Sequence, residues 1–400
     1  MAKKRPHKAA QKSEQPVSRE EARRRHRKRA RRLMWKRLIV IAVIFLLVFT
    51  VWRNWDTLAP DKLLAKIQDT IGDASGSFPV DISGSNVQHL ARSQNYAVVL
   101  SDSYLTYYND RGGEVTRYPC TYSSAMLRTA GKYVLVAEQG GKRLMLTTRS
   151  MVLSDTTLDG NILAASVNTK GQIAVLTQGT QGYAVDLTVY DQKGTQLYRR
   201  SRTSLASDVA LSADGKKAAV LSLDATNGVL ATSVEVFSLT SSDTKSLYTY
   251  TAVDTLLYRL NFTSNERLVA VGESGALLIS LDGASPTTYD ISARQLLGYT
   301  AAQDGTALVL RTRGDTDGGE VVLLGHDGEQ LCSVPFTGEF RHLSAQGKQV
   351  LLLTDGVAQV ITQAGASKSA PVEADGQQAV LFGDNAIVMG LSALQQYSLT

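Results

Sequence analysis

One phrase recurs along most of the chain: a tight polar turn followed by a short apolar run. Ser93-Gln94-Asn95 precedes residues 96–100 (YAVVL), and Thr129-Ala130-Gly131-Lys132 precedes 133–137 (YVLVA). The phrase returns at 168–177, 212–222, 264–271, 303–310, 345–353 and 383–389, which makes eight occurrences. Asp-Gly, Asn and Gly turns suit tight hairpins because they tolerate positive φ. The runs are rich in Val, Leu and Ala, as strands buried on both faces are. Each phrase has one short strand before it and one or two after. In the third unit these strands are 162–167, 172–177, 184–190 and 196–200.

Four antiparallel strands repeated every ~40 residues describe a β-propeller blade. Residues 78–400 number 323, which is eight repeats of about 40. The expected fold is therefore all-β: an eight-bladed propeller over 78–400, with seven blades as the alternative and tandem β-sandwiches as a third reading. The last unit holds three strands, near 378–382, 386–389 and 394–398. Residues 78–83, which lie before the first full unit, are expected to supply the missing outer strand and leave the ring without an open edge.

The run Ser212-Ala213-Asp214-Gly215-Lys216-Lys217-Ala218-Ala219-Val220 resembles the blade motif of WD40-like, TolB-type propellers. The whole layout, from an apolar segment through NWDTL (54–58) and FPVDISG (78–84), resembles an uncharacterised family of bacterial single-pass, membrane-anchored propellers, a domain-of-unknown-function group. That resemblance implies fold and topology and brings no biochemical activity with it.

The net charge of +6 conceals an asymmetry. Residues 1–37 hold 16 Lys and Arg against Glu14, Glu20 and Glu21, leaving 27 basic and 34 acidic residues in 38–400. The basic character belongs to the tail, and no nucleic-acid partner is expected. Residues 38–52 (LIVIAVIFLLVFTVW) carry no charge, Pro or Gly. Counted from Leu33 to Trp52 the segment has 20 residues and as a helix would span roughly 30 Å, the hydrocarbon thickness of a bilayer. Lys36 and Arg37 sit near one end, Arg53 bounds the other, and the chain's three tryptophans, Trp35, Trp52 and Trp55, flank the segment as membrane-interface residues do.

These features predict a basic cytoplasmic tail (1–32), a transmembrane signal-anchor helix (33–53), a juxtamembrane amphipathic helix and linker (54–77) and an extracytoplasmic propeller (78–400). Positive charge inside sets the orientation. A cleaved signal peptide is the rival, disfavoured by the long basic region and by Pro60 directly after Thr57-Leu58-Ala59. Ser18 and Glu21 form a capping-box pattern. The helix it would start carries Arg23, Arg24, Arg25, Arg27, Lys28, Arg29, Arg31 and Arg32, read as contacts to anionic lipid headgroups at about 1 kcal/mol each, or as a topology signal alone.

Little in the sequence points to catalysis. No Trp follows residue 55, and only His89, His326 and His342 lie in the repeat region. There is no H-E-x-x-H, C-x-x-C, G-x-S-x-G or P-loop pattern. Cys120 and Cys332 fall in non-adjacent repeats, so neither a disulfide nor a zinc site is expected. No catalytic residue and no cofactor are assigned. Asp315, Asp317 and Glu320 resemble part of a calcium loop, and a solvated hairpin loop accounts for them equally well. The connections between second and third strands are longest at 178–183, 223–231 and 312–319 and are expected to form a polar rim on one face. The expected function is a non-enzymatic binding or scaffold module of the bacterial cell envelope. Its expected partners are the lipid bilayer and an envelope protein or wall polymer at the propeller face. The alternatives are a ligand sensor signalling through the single helix and an enzyme with an acidic central channel.

Overall fold

The computed structural model describes residues 74–400, apart from 227, 242–244 and 304. Among the described residues no helix is long and apolar enough to cross a membrane. The expectations for the tail, the apolar segment and the amphipathic helix fall on residues outside that set.

The described chain folds into eight separate four-stranded antiparallel sheets, the blades of a propeller. Blades 1 to 8 begin, in order, with the inner strands Val87–Ser93, Ala125–Ala130, Ile162–Val167, Leu205–Leu211, Leu257–Phe262, Arg294–Ala302, Phe340–Gln346 and Gln378–Phe382. Each of the eight recurring phrases becomes the second strand of its blade, from Tyr96–Ser101 in blade 1 to Asn385–Met389 in blade 8. Their first hairpins turn as the phrase requires: Gln94 and Gly131 occupy equivalent positions with φ of 52° and 60°.

The apolar runs are hydrophobic throughout because each second strand is covered on both sides by neighbouring blades. In blade 1, Val98 and Leu100 pack toward blade 2 with Tyr107, Val134 and Val136. The alternating Ala97 and Val99 pack toward blade 8 with Val380, Ile387 and Met389. Period-two alternation thus feeds two different cores. Repeated around the ring, this produces eight inter-blade cores in place of a single central one.

The ring closes as expected. Blade 8 takes three strands from the C-terminus, and Val80–Asp81 adds the fourth by pairing with Ala393–Ser398, Val80 opposite Leu394 and Asp81 opposite Ala393. The Ile82 amide continues the pairing by donating to Ser392 O at 2.8 Å. The blade count is eight. Cys120 and Cys332 are both free thiols.

One loop expectation is corrected. Residues 223–231 are not a loop. The strands Lys217–Thr226 and Val229–Ser238 stay paired to the tip, with Leu223 opposite Thr232 and Thr226 opposite Val229. The Asn-Gly pair at 227–228 is a strong two-residue hairpin signal, and Gly228 takes the positive φ (79°) that it calls for. Blade 4 therefore carries an extended hairpin.

Leu394 is fully buried at the closure, whereas Leu391, three residues away, is 74% exposed. Leu394→Ala should lose about 2–5 kcal/mol of unfolding free energy, while Leu391→Ala should change it by less than about 0.5 kcal/mol. Urea denaturation of the full-length protein measures both.

Candidate functional site

The inner strands line the central channel. In blades 1, 3, 4, 5, 6 and 7 the pairing of inner and second strands slips by one residue. Such bulges re-aim the side chains that follow them. The residue after the slip is His89 in blade 1, Asp208 in blade 4, Arg259 in blade 5 and His342 in blade 7.

Three of these clasp the next blade's inner strand. His89 Nε2 donates to Ala125 O at 3.0 Å, Asp208 Oδ2 accepts from the Leu260 amide at 2.9 Å, and His342 Nδ1 accepts from the Ala379 amide at 3.3 Å. In blade 8, Gln378 does the same in both directions, accepting from Leu90 N at 2.8 Å and donating to Gln88 O at 3.1 Å. Inner strands of adjacent blades share no ladder, so these side chains satisfy backbone groups that would otherwise lack a partner.

Burial sets the charge state of the clasps. It pushes the His342 imidazole down to about 4, and nearby His89 adds to the effect. His89 is lowered too, by burial first and then by the positive charge of Arg128. Both rings are neutral at neutral pH. Burial raises the Asp208 carboxyl even though the Leu260 amide, Arg259 and Arg128 all favour its ionised form.

The channel is cationic. The eight inner strands hold Arg92, Arg128, Arg259, Arg294 and Arg341 against one acid, Asp208. Residues 78–400 as a whole hold 24 Lys and Arg against 30 Asp and Glu. Two of the arginines are structural. Arg92 donates to Gln94 O at 2.6 Å and to Leu381 O, and lies 4.4 Å over the Phe382 ring. Arg294 pairs with Glu320 and reaches Tyr289 Oη at 3.3 Å.

The other three have few partners. Arg128 donates to Leu127 O at 3.1 Å. Its guanidinium is held below the ordinary arginine range by burial and then by Arg259, with Asp208 and Tyr299 opposing. Burial pushes the Tyr299 hydroxyl upward, with the charges of Arg259 and Arg128 opposing. Arg341 pairs with Glu339 at 3.1 Å, but its Nε has no partner. A cavity of about 360 Å³ runs between the inner strands of blades 6 and 7, lined by Tyr258, Tyr299, Phe340, Arg341 and His342 among others. An adjoining cavity of about 500 Å³ shares Tyr258 and Leu296 with it and reaches Glu273, Arg294, Arg313 and Gly314.

The rim differs from the polar one expected. The connections between second and third strands share a face with those joining one blade to the next. Of eleven exposed large apolar side chains among the described residues, eight lie on this face: Tyr104, Tyr183, Leu205, Val229, Leu230, Val253, Val357 and Leu391. The extended hairpin of blade 4 supplies Val229 and Leu230, with Val253 and Leu205 at the strand ends beside it. The chain enters the ring from the opposite face, where Asn109 Nδ2 donates to Ala74 O at 2.7 Å.

Of the residues singled out from sequence, Trp35, Trp52, Trp55, Lys36, Arg37, Arg53 and the arginine cluster at 23–32 lie outside the described residues. The calcium-loop pattern does not assemble. Glu320 is taken by Arg294 and by the Ser333 hydroxyl at 2.6 Å, and Asp317 caps Gly318 N at 2.8 Å. Among the described residues no three His, Cys, Asp or Glu side chains converge as metal ligands. The acidic-channel expectation meets a lining with one acid. Sequence reading passed over Arg128, Asp208 and Arg259, and noted His342 only as one of three scattered histidines. Their signal is a charged or titratable residue in the middle of an inner strand.

A family profile matches residues 75–389, nearly the whole ring. The chain belongs to DUF5711, a family of unknown function. Comparison with curated proteins finds no match. Among solved structures, this DUF5711 chain is similar to BamB from Moraxella catarrhalis, at 13% identity and a TM-score of 0.50 over 80% of this chain and 99% of that one. It is also similar to Kuenenia stuttgartiensis hydrazine synthase (10% identity, TM-score 0.46, 68% and 94% covered) and to the Neurospora crassa Pan2 WD40 domain (8%, 0.43, 79% and 90%). At these identities the likeness to BamB speaks for the propeller fold of the DUF5711 chain and for nothing further.

His342 makes the stability of the ring depend on pH. Its folded pKa of about 4 lies below the ordinary 6.5, so the native state binds fewer protons than the unfolded chain. The stabilisation is complete above about 6.5 and is lost as pH falls toward 4, by at most about 3 kcal/mol. His342→Gln keeps an acceptor for the Ala379 amide, as Gln378 does for Leu90, and should flatten the fall in melting temperature between those pH values.

Proposed function

We propose that this protein is a membrane-anchored, extracytoplasmic propeller that acts as a non-enzymatic binding module of the bacterial cell envelope, engaging an envelope protein through its apolar rim. The observation that carries the reading is the segregation of exposed apolar side chains to one face. Single exposed apolar residues are ordinary, whereas a concentration on one face marks an interaction surface. An apolar cavity of about 330 Å³ at Phe336, Leu352, Thr354 and Val357 reaches the same face and offers a partner side chain a socket. Anchoring rests on the 20-residue apolar segment, its flanking tryptophans and the basic tail. Confinement to a membrane raises the effective concentration of a weak binder near envelope partners.

Two measurements test this. Alkaline phosphatase fused after residue 400 should be active in intact cells and inactive when fused after residue 32; the reverse pattern overturns the topology. A photo-crosslinking residue placed at Leu230 in the full-length protein should capture a discrete partner in native membranes, and Val229→Glu should reduce that capture severalfold. Equal capture from a crosslinker on the opposite face, at Leu197, would remove the rim from the account.

A further inference from the structure

We propose that the central channel holds a small ligand by an oxyanion group, a phosphate or a carboxylate, gripped by Arg128 and Arg259 with the Tyr299 hydroxyl beside them. This goes beyond the rim reading and stands or falls without it.

The first argument is charge placement. The ring carries more acid than base, yet its inner strands carry five arginines and one acid. The lumen is positive inside an acidic shell, a distribution that draws anions inward. The single acid does not cancel it. Asp208 is buried, turned into the Leu260 amide, and faces two guanidinium groups.

The second argument is unspent hydrogen-bonding capacity. A guanidinium presents five N–H donors in a fixed fork. Arg128 gives one bond to its neighbour's carbonyl, Arg259 lies close enough to Tyr299 to favour its ionised form, and Arg341, which lines one cavity with Tyr299, has an unpartnered Nε. Arginine forks match the planar oxygens of carboxylate and phosphate, which makes this chemistry the natural complement.

The third argument is cost. Burial and the nearby charge of Arg259 both disfavour the charged form of Arg128. Side chains with no function other than lining a wall would carry less charge there, and strained electrostatics of this kind concentrates where ligands bind. Space is present as well: Tyr258, Tyr299 and Arg341 border a cavity of about 360 Å³ that adjoins a wider one reaching Glu273, Arg294 and Arg313. These two phenol rings would cover the apolar part of a ligand while the arginines held its anionic end.

The test uses the full-length protein in detergent micelles, melted in inorganic phosphate, in succinate and in chloride at matched ionic strength. Binding to the folded state raises the melting temperature. Phosphate or succinate should raise it above the chloride value, and which of the two does so identifies the oxyanion. Arg128→Met and Arg259→Met should each abolish the increment, while Arg117→Met, on the exposed outer strand of blade 1, should keep it. In chloride, Arg128→Met should melt no lower than the native chain, because a repelling charge has been removed; a fall would mark a structural role and count against the proposal. A measurement without variants covers the case of a mutant that fails to fold. Phenylglyoxal labelling of the native chain, read by peptide mapping, should slow severalfold at Arg128 and Arg259 when the effective anion is present and be unchanged at Arg117. Equal melting in all three salts, or labelling that ignores the anion, overturns the proposal.

Discussion

A ring of sheets has no free edge only when its two ends are tied, and here the knot is small. Val80 and Asp81 form a two-residue strand on Ala393–Ser398. At about 1 kcal/mol net per hydrogen bond, such a ladder alone holds little. The closure is held by what it buries. Ile82, Leu394, Val380, Ile387 and Met389 meet Leu90, Ala97 and Val99 of blade 1 in one apolar cluster, and each such side chain contributes about 1.5–3 kcal/mol when withdrawn from water. Hydrogen bonds set the register of the closing strand and hydrophobic burial supplies its free energy. The other seven inter-blade cores depend on the same closure, since a ring opened at one interface exposes that interface on both sides.

Closure also dictates the character of the channel. Inner strands of adjacent blades are not joined in a sheet, so their amides and carbonyls need other partners. His89, Asp208, His342 and Gln378 provide them, one blade reaching to the next. Bulges aim His89, Asp208 and His342, and the equivalent bulge in blade 5 places Arg259 near Tyr299, Asp208 and Arg128. A device that satisfies backbone groups in some blades thus leaves cationic donors facing the lumen in others. The lumen and the rim then differ in kind, one polar and charged, the other apolar, and they suit different ligands.

How legible this was differs by level. Strand positions were read closely: the third unit's inner strand, 162–167, and the last unit's 378–382 match the observed bounds. The hairpin at 217–238 was misread because its apolar tip, Val229-Leu230, was taken for part of a polar loop and the Asn-Gly signal beside it was not weighed. The calcium-loop pattern failed for a converse reason. Glu320 sits three residues from Asp317 in sequence, yet its strand carries it to Arg294 on another strand of the same blade. Proximity along the chain did not survive the pleat.

The structure decided eight blades over seven, while the sequence by itself determined the four-stranded repeat, the identity of the second strands and the source of the closing strand. Each of these depends on local rules: turn residues that accept positive φ, and apolar runs short enough for one strand. Only the tertiary structure decided that Arg128, Asp208, Arg259 and Tyr299 share one space. They come from blades 2, 4, 5 and 6, and no local pattern links residues so far apart. The ring brings equivalent positions of successive blades to a common axis, and in blades 4 and 5 a one-residue bulge re-aims Asp208 and Arg259.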